Sequence, residues 1–138
     1  MNRWISGLLL LACLAVPAAA QAPDDRHPWG RWKNPFNSVH MEVSPCGEGV
    51  CGKVVYANDK ARADAAKGGN PDFIGVNLLE DFQPTGPGSW AGKVFVPDLN
   101  HHFHGELTLE PDDSLLVKGC LATHVGCKHQ VWTRVQTD

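Results

Sequence analysis

The 138-residue sequence has one tyrosine, two methionines and no long run of charge of either sign. It carries 12 Lys and Arg residues against 15 Asp and Glu, a net charge of −3. A chain of that balance has no basic face for nucleic acid. Beyond the first twenty residues, no apolar run approaches the roughly 20 residues that a membrane-spanning helix needs. There is no phosphate-binding P-loop and no H-E-x-x-H zinc motif. A nucleophile elbow would read G-x-S-x-G, but Ser89 is followed by Trp90 and Ala91. Asp112 and Asp113 are adjacent carboxylates in a turn. Acids for glycoside hydrolysis must instead flank a substrate cleft. No enzyme class is indicated, and no cofactor is expected.

One apparent motif is a trap. Gly47, Gly49 and Gly52 match G-x-G-x-x-G. A dinucleotide-binding turn needs a strand before the glycines and a helix after them. Here Val54-Val55-Tyr56 follows, which favours a strand. Cys46 and Cys51 flank the glycines, so the stretch reads as a cystine-tied hairpin turn.

Residues 1–20 read as a signal peptide. Arg3 is the positive n-region, Ile5 to Val16 an apolar h-region too short to span a bilayer, and Ala18-Ala19-Ala20 the cleavage signal. The mature chain would begin at Gln21 in the periplasm or outside the cell. Acylation of Cys13 in a lipoprotein box is the competing reading. Cleavage leaves 118 residues, with 11 basic against 15 acidic, for a net charge of −4. That is one domain with one core. Four cysteines remain: Cys46, Cys51, Cys120 and Cys127. An even number in a secreted chain reads as two disulfides. The local pairs are favoured, since each brackets a turn. Zinc on these thiols is the alternative, with atypical C-x4-C and C-x6-C spacings.

The rest is punctuated into strands. A leader over residues 21–28 precedes Trp29–Lys33. Alternating Val39, Met41 and Val43 follow, then Lys53–Tyr56, Val76–Gln83, Trp90–Val96, His101–Glu110, Leu115–Cys120 and His129–Val135. Residues 58–72 break the pattern. This alanine-rich, charged stretch suits a short exposed helix or a surface loop with little to bury. Eight sequential strands joined mostly by short turns predict an all-β, up-and-down antiparallel barrel, since closure removes the unpaired edges. An open sheet or sandwich is the alternative. An eight-stranded barrel has an interior wide enough for packed side chains or one small ligand.

Gly30-x-Trp32 near the start and Trp132-x-Arg134 near the end resemble the closure of the calycin barrels, the lipocalins and their relatives. That resemblance implies a first-strand tryptophan covered by a last-strand cation, so Arg134 should lie over Trp32. The wider set of signposts is Pro45-Cys46-Gly47, Val50-Cys51-Gly52-Lys53-Val54-Val55, Trp90-x-Gly92-Lys93-Val94-x-Val96-Pro97-Asp98 and Gln130 to Val135. From Trp29 to Val135 the chain is similar to the secreted bacterial family known as domain of unknown function 2147. The resemblance implies an envelope location and a β-rich fold, and it carries no activity. The chain departs from the family pattern after Asp98, with Leu99-Asn100-His101-His102-Phe103-His104.

Two local features invite function. His102 and His104 share one strand face and could grip Zn²⁺ or Cu²⁺ if His124, His129 or Glu106 completed the site. The aromatic residues Trp90, Phe95, Phe103 and Tyr56 could line a cavity for a small apolar or amphipathic molecule. A filled barrel acting as an envelope interaction module is the rival reading.

Overall fold

A computed structural model of the protein describes residue 13 and residues 26–136. Except for Cys13, an exposed free thiol, the expected signal segment and its cleavage point lie outside the described residues. So does most of the leader.

Eight strands follow in order. They are β1 (Gly30–Lys33), β2 (Val39–Cys46), β3 (Gly49–Ala57), β4 (Asn77–Gly86), β5 (Ser89–Val96), β6 (His101–Leu109), β7 (Leu115–Ala122) and β8 (Val125–Arg134). One helix, α1 (Asp59–Lys67), lies between β3 and β4. Each strand pairs antiparallel with the next, and β8 returns to β1, closing a barrel. The expected architecture is therefore the observed one. The glycine trio falls in the β2–β3 hairpin, with Gly47 in the turn and Gly49 and Gly52 in β3.

Alternation along the strands sorts side chains to the inside or the outside. Trp32, Met41, Leu79, Phe82, Leu107 and Leu115 point inward and are almost wholly buried. Each contributes about 1.5–3 kcal/mol by leaving water. Two glycines let the barrel narrow around Phe82. Gly92 and Gly105 are register partners on β5 and β6. A Cβ on Gly92 would stand 2.7 Å from the Glu80 carbonyl oxygen, and one on Gly105 2.7 Å from the tip of the Phe82 ring. No other residue type lets these backbones approach so closely.

The two ends of the barrel differ. At the leader end, the Arg134 guanidinium carbon sits 4.4 Å from the centre of the Trp32 ring. Arg134 donates from Nε to Asp113 Oδ2 at 2.6 Å, from Nη1 to the Trp29 carbonyl at 2.7 Å and from Nη2 to the His27 carbonyl at 2.8 Å. The Trp32 indole Nε1 donates to the Pro28 carbonyl at 2.7 Å. One cation thus ties the last strand, the β6–β7 turn and the leader over a buried ring. β1 meets β8 at only two positions, Trp32 opposite Arg134 and Lys33 opposite Thr133.

At the other end, α1 packs over the mouth between β3 and the β5–β6 turn. Asn58 caps the helix by accepting from the Ala61 amide at 2.9 Å. Asp59 in the first turn and Lys67 in the last suit the helix dipole. Ala65 is fully buried and Phe73 nearly so, both within the core. A Cβ on Gly68 would collide with the Pro97 carbonyl oxygen in the β5–β6 turn. Asn70 Nδ2 also donates to that carbonyl, at 3.0 Å. The expectation of a surface loop with little to bury is corrected here. Its small alanine and the phenylalanine beyond its glycines pack onto the barrel.

Both disulfides have the expected pairing, Cys46–Cys51 and Cys120–Cys127. The second joins directly opposed residues of β7 and β8. This hairpin runs further than its sequence suggests, turning at Thr123-His124.

Replacing Arg134 by Met removes the cation over the indole, the ion pair and two bonds to leader carbonyls. The unfolding free energy in urea should fall by about 2–4 kcal/mol. A loss under about 0.5 kcal/mol, the scatter of ordinary surface substitutions, would place barrel closure elsewhere.

Candidate functional site

The barrel interior is filled at the leader end and uncovered on one side of the mouth. Register defines that side. His101 and Phe103 on β6, Val117, Gly119 and Leu121 on β7, and Gly126, Lys128 and Gln130 on β8 share the inner face. Phe103 is half-buried, while Leu121 is 75 % exposed. Lys128 and Gln130 are exposed although they point inward. The cause is local. β1 stops at Lys33, so among the described residues nothing pairs with β8 between Val125 and Trp132 on its far side. Helix α1 packs over the mouth on the β3 side.

Glycine shapes the resulting trough. A Cβ at Gly119 would meet only the Phe103 Cβ, at 3.8 Å. Below Gln130 on the same face lies Trp132, buried to 6 % exposure. Its Nε1–H is buried with no hydrogen-bond partner. An orphan buried donor costs about 1–3 kcal/mol unless an acceptor reaches it. The trough therefore has an apolar wall of Phe103, Val117 and Leu121 and a cation at Lys128, with the buried Trp132 indole below them.

The sequence-selected aromatics divide between the two faces. Trp90 and Phe103 lie inside, Trp90 packing against the core. Phe95 and Tyr56 lie outside. Phe95 tilts against His102, with ring centres 4.7 Å apart, and Tyr56 against His40 at 4.6 Å. The four do not line one cavity. The reason is strand phase, which a single aromatic-rich reading cannot fix. Phe95 and His102 are register partners, so they share the outer face.

His102 and His104 do share a face, also the outer one. His102 Nε2 lies 3.0 Å from Glu80 Oε2. Glu106 is engaged elsewhere, 3.3 Å from Lys118 Nζ and 3.7 Å from His124 Nδ1. Among the described residues no three His, Cys, Asp or Glu side chains converge to hold a metal ion. The third ligand that the histidine pair needs is not brought to it. A shallow depression of about 460 Å³ takes in Asp81, Lys93, His102 and His104. Sequence reasoning missed Gly119, Leu121, Lys128 and Gln130. Their signal was their alternation along β7 and β8, hidden by the polar character of the hairpin.

An eight-stranded up-and-down barrel with a tryptophan–arginine closure at one end and a helix packed over the mouth at the other is a calycin-type architecture. The chain belongs to the family described as "Uncharacterized protein conserved in bacteria (DUF2147)", whose model matches residues 30–134. Among solved structures it is similar to protein HP1028 of the human pathogen Helicobacter pylori, described as belonging to the lipocalin family. The two are 14 % identical, with 80 % of this chain and 84 % of that chain covered and a TM-score of 0.63. At that identity the likeness is one of fold. No curated protein matches the chain. The two disulfides point to an oxidising, extracytoplasmic environment, and no described helix is long and apolar enough to cross a membrane.

One histidine gives the fold a pH dependence. His40 Nε2 lies 2.7 Å from Asn37 Oδ1, while Nδ1 is buried without a partner. Burial, then the charges of Arg31 and Lys33, hold its pKa below the usual histidine value. The folded state therefore resists protonation of this ring. The stability it contributes is complete above the unfolded pKa of about 6.5 and is lost as pH falls towards the lower folded value. The melting temperature should drop between about pH 7.5 and pH 5.5, and drop less in His40→Gln. An identical pH slope in both proteins would contradict this.

Proposed function

We propose that this protein is a non-enzymatic, periplasmic or secreted barrel that binds one small amphipathic molecule in the uncovered trough at its mouth. The observation that carries the reading is the inner face of β6–β8. It presents Phe103 and Leu121 to solvent beside Lys128, above the unpartnered indole N–H of Trp132. Apolar walls with a few convergent polar groups are what small-molecule sites are made of. The ligand that fits has an apolar body against Phe103, Val117 and Leu121. Its acceptor or anionic group faces Lys128. The filled lower barrel limits penetration, so the molecule lies at the mouth rather than deep inside. Cleavage after Ala20 and export belong to the same reading, supported by the two disulfides.

Gly119 offers a clean test. Its φ is not positive and its Cβ position is open, so a leucine there fills the trough without straining the chain. Binding of an apolar fluorescent fatty-acid probe should weaken at least about tenfold in Gly119→Leu, roughly 1.4 kcal/mol of lost contact, with the melting temperature nearly unchanged. Native mass spectrometry of the purified wild type should show a copurified small molecule. A clean apo mass, with no probe binding by the wild type, would overturn the reading.

A further inference from the structure

The exposed apolar side chains are not scattered over the barrel. Among the described residues seven large ones are exposed. Six of them, Phe36, Tyr56, Ile74, Leu99, Leu121 and Val125, lie at the mouth end, and only Val131 lies further down β8. Strand direction explains the placement. In an up-and-down barrel the β1–β2, β3–β4, β5–β6 and β7–β8 connections all emerge at one end, and these six residues sit in or beside them. Phe36 is 79 % exposed and Leu99 66 %, each at the tip of its own connection. Both ends of the described chain leave from the opposite pole, where Arg26 Nη1 donates to the Glu110 carbonyl at 2.8 Å and the Val135 amide to the Arg31 carbonyl at 2.9 Å.

We infer that this apolar rim docks the barrel, mouth first, onto a zwitterionic phospholipid surface. Single surface apolar residues are ordinary, but a set gathered around one rim marks an interaction face. Its geometry is a ring of separate tips on four connections. The outermost tips, Phe36 and Leu99, can enter the headgroup–acyl boundary, where binding scales with the apolar area inserted. Charge selects the kind of surface. Around α1, Lys60, Arg62 and Lys67 are set against Asp59, Asp64 and Asp98, with Lys60 and Asp64 paired at 2.8 Å. Lys33, Asp72 and Lys128 add charges of both signs at the same end, and a rim of mixed sign matches headgroups that carry both signs. The rim carries no large surplus of cations, so an anionic bilayer gains little over a zwitterionic one. Docking does not require a ligand in the trough, and it stands or falls separately from that reading.

The test is flotation with vesicles of phosphatidylcholine and phosphatidylethanolamine, comparing the mature protein with the double variant Phe36→Ser/Leu99→Ser. Neither side chain belongs to the core, so the variant should fold, with an unchanged melting temperature as the check. Wild type should float with the vesicles, largely independent of salt as an apolar contact is. The double variant should partition at least about tenfold more weakly. Three results would overturn the proposal. One is no flotation of the wild type. Another is binding confined to anionic vesicles and abolished by salt. The third is a wild-type dimer in sedimentation that the variant dissolves, which would make the rim a protein interface.

Discussion

The Arg134 guanidinium over the Trp32 indole is the contact on which the architecture depends. β1 is four residues long and shares only two register positions with β8. A ladder that short does not hold a ring of eight strands closed by itself. The arginine adds an ion pair and two carbonyl contacts to the indole face, so the seam is fixed at one point. Planar, multidentate donors make arginine suited to this, where lysine would satisfy fewer partners.

The asymmetry of the molecule follows from the same constraint. Because β1 is short and anchored at the leader end, β8 continues past it with a free side. The upper β7–β8 hairpin, residues 121–131, then stands exposed on both faces, tied at its base by Cys120–Cys127, of which Cys120 is buried. The long β3–β4 connection has enough chain to cross the mouth and rests on the β5–β6 turn through Gly68 and Asn70. The helix covers the β3 side, and the β7–β8 side is open. A single sealed end and a single uncovered inner wall are the conditions for a shallow binding trough rather than a deep calyx.

Much of this is legible in the sequence. Proline and glycine clusters such as Pro84-Thr85-Gly86-Pro87-Gly88 marked the turns, and Val39, Met41 and Val43 alternated plainly. The cysteine spacing favours the bridges observed, and the calycin resemblance of the terminal Trp and Arg positions implies the closure. What stayed hidden has physical reasons. Whether Phe95 or Trp90 faces inward depends on strand phase, and the irregular register of β4 shifts that phase without a sequence mark. Within the alanine-rich stretch nothing singles out Ala65, yet its methyl group is fully buried against the barrel. Beside Phe103, Val117 and Leu121 the trough is lined by glycine and by Lys128 and Gln130, whose inward orientation comes from the β7–β8 register rather than from hydrophobicity.

The central claim is a barrel sealed at one pole and unpartnered along the upper side of β8. Residue-resolved amide hydrogen exchange tests it most directly, because exchange reports local opening and pairing along each strand. Exchange should be slow around Trp32, Met41 and Trp132, and fast at alternate amides of β8 between Val125 and Val131, those facing away from β7. Uniform slow exchange along the whole of β8 would contradict it, as would fast exchange at the Trp32–Arg134 seam.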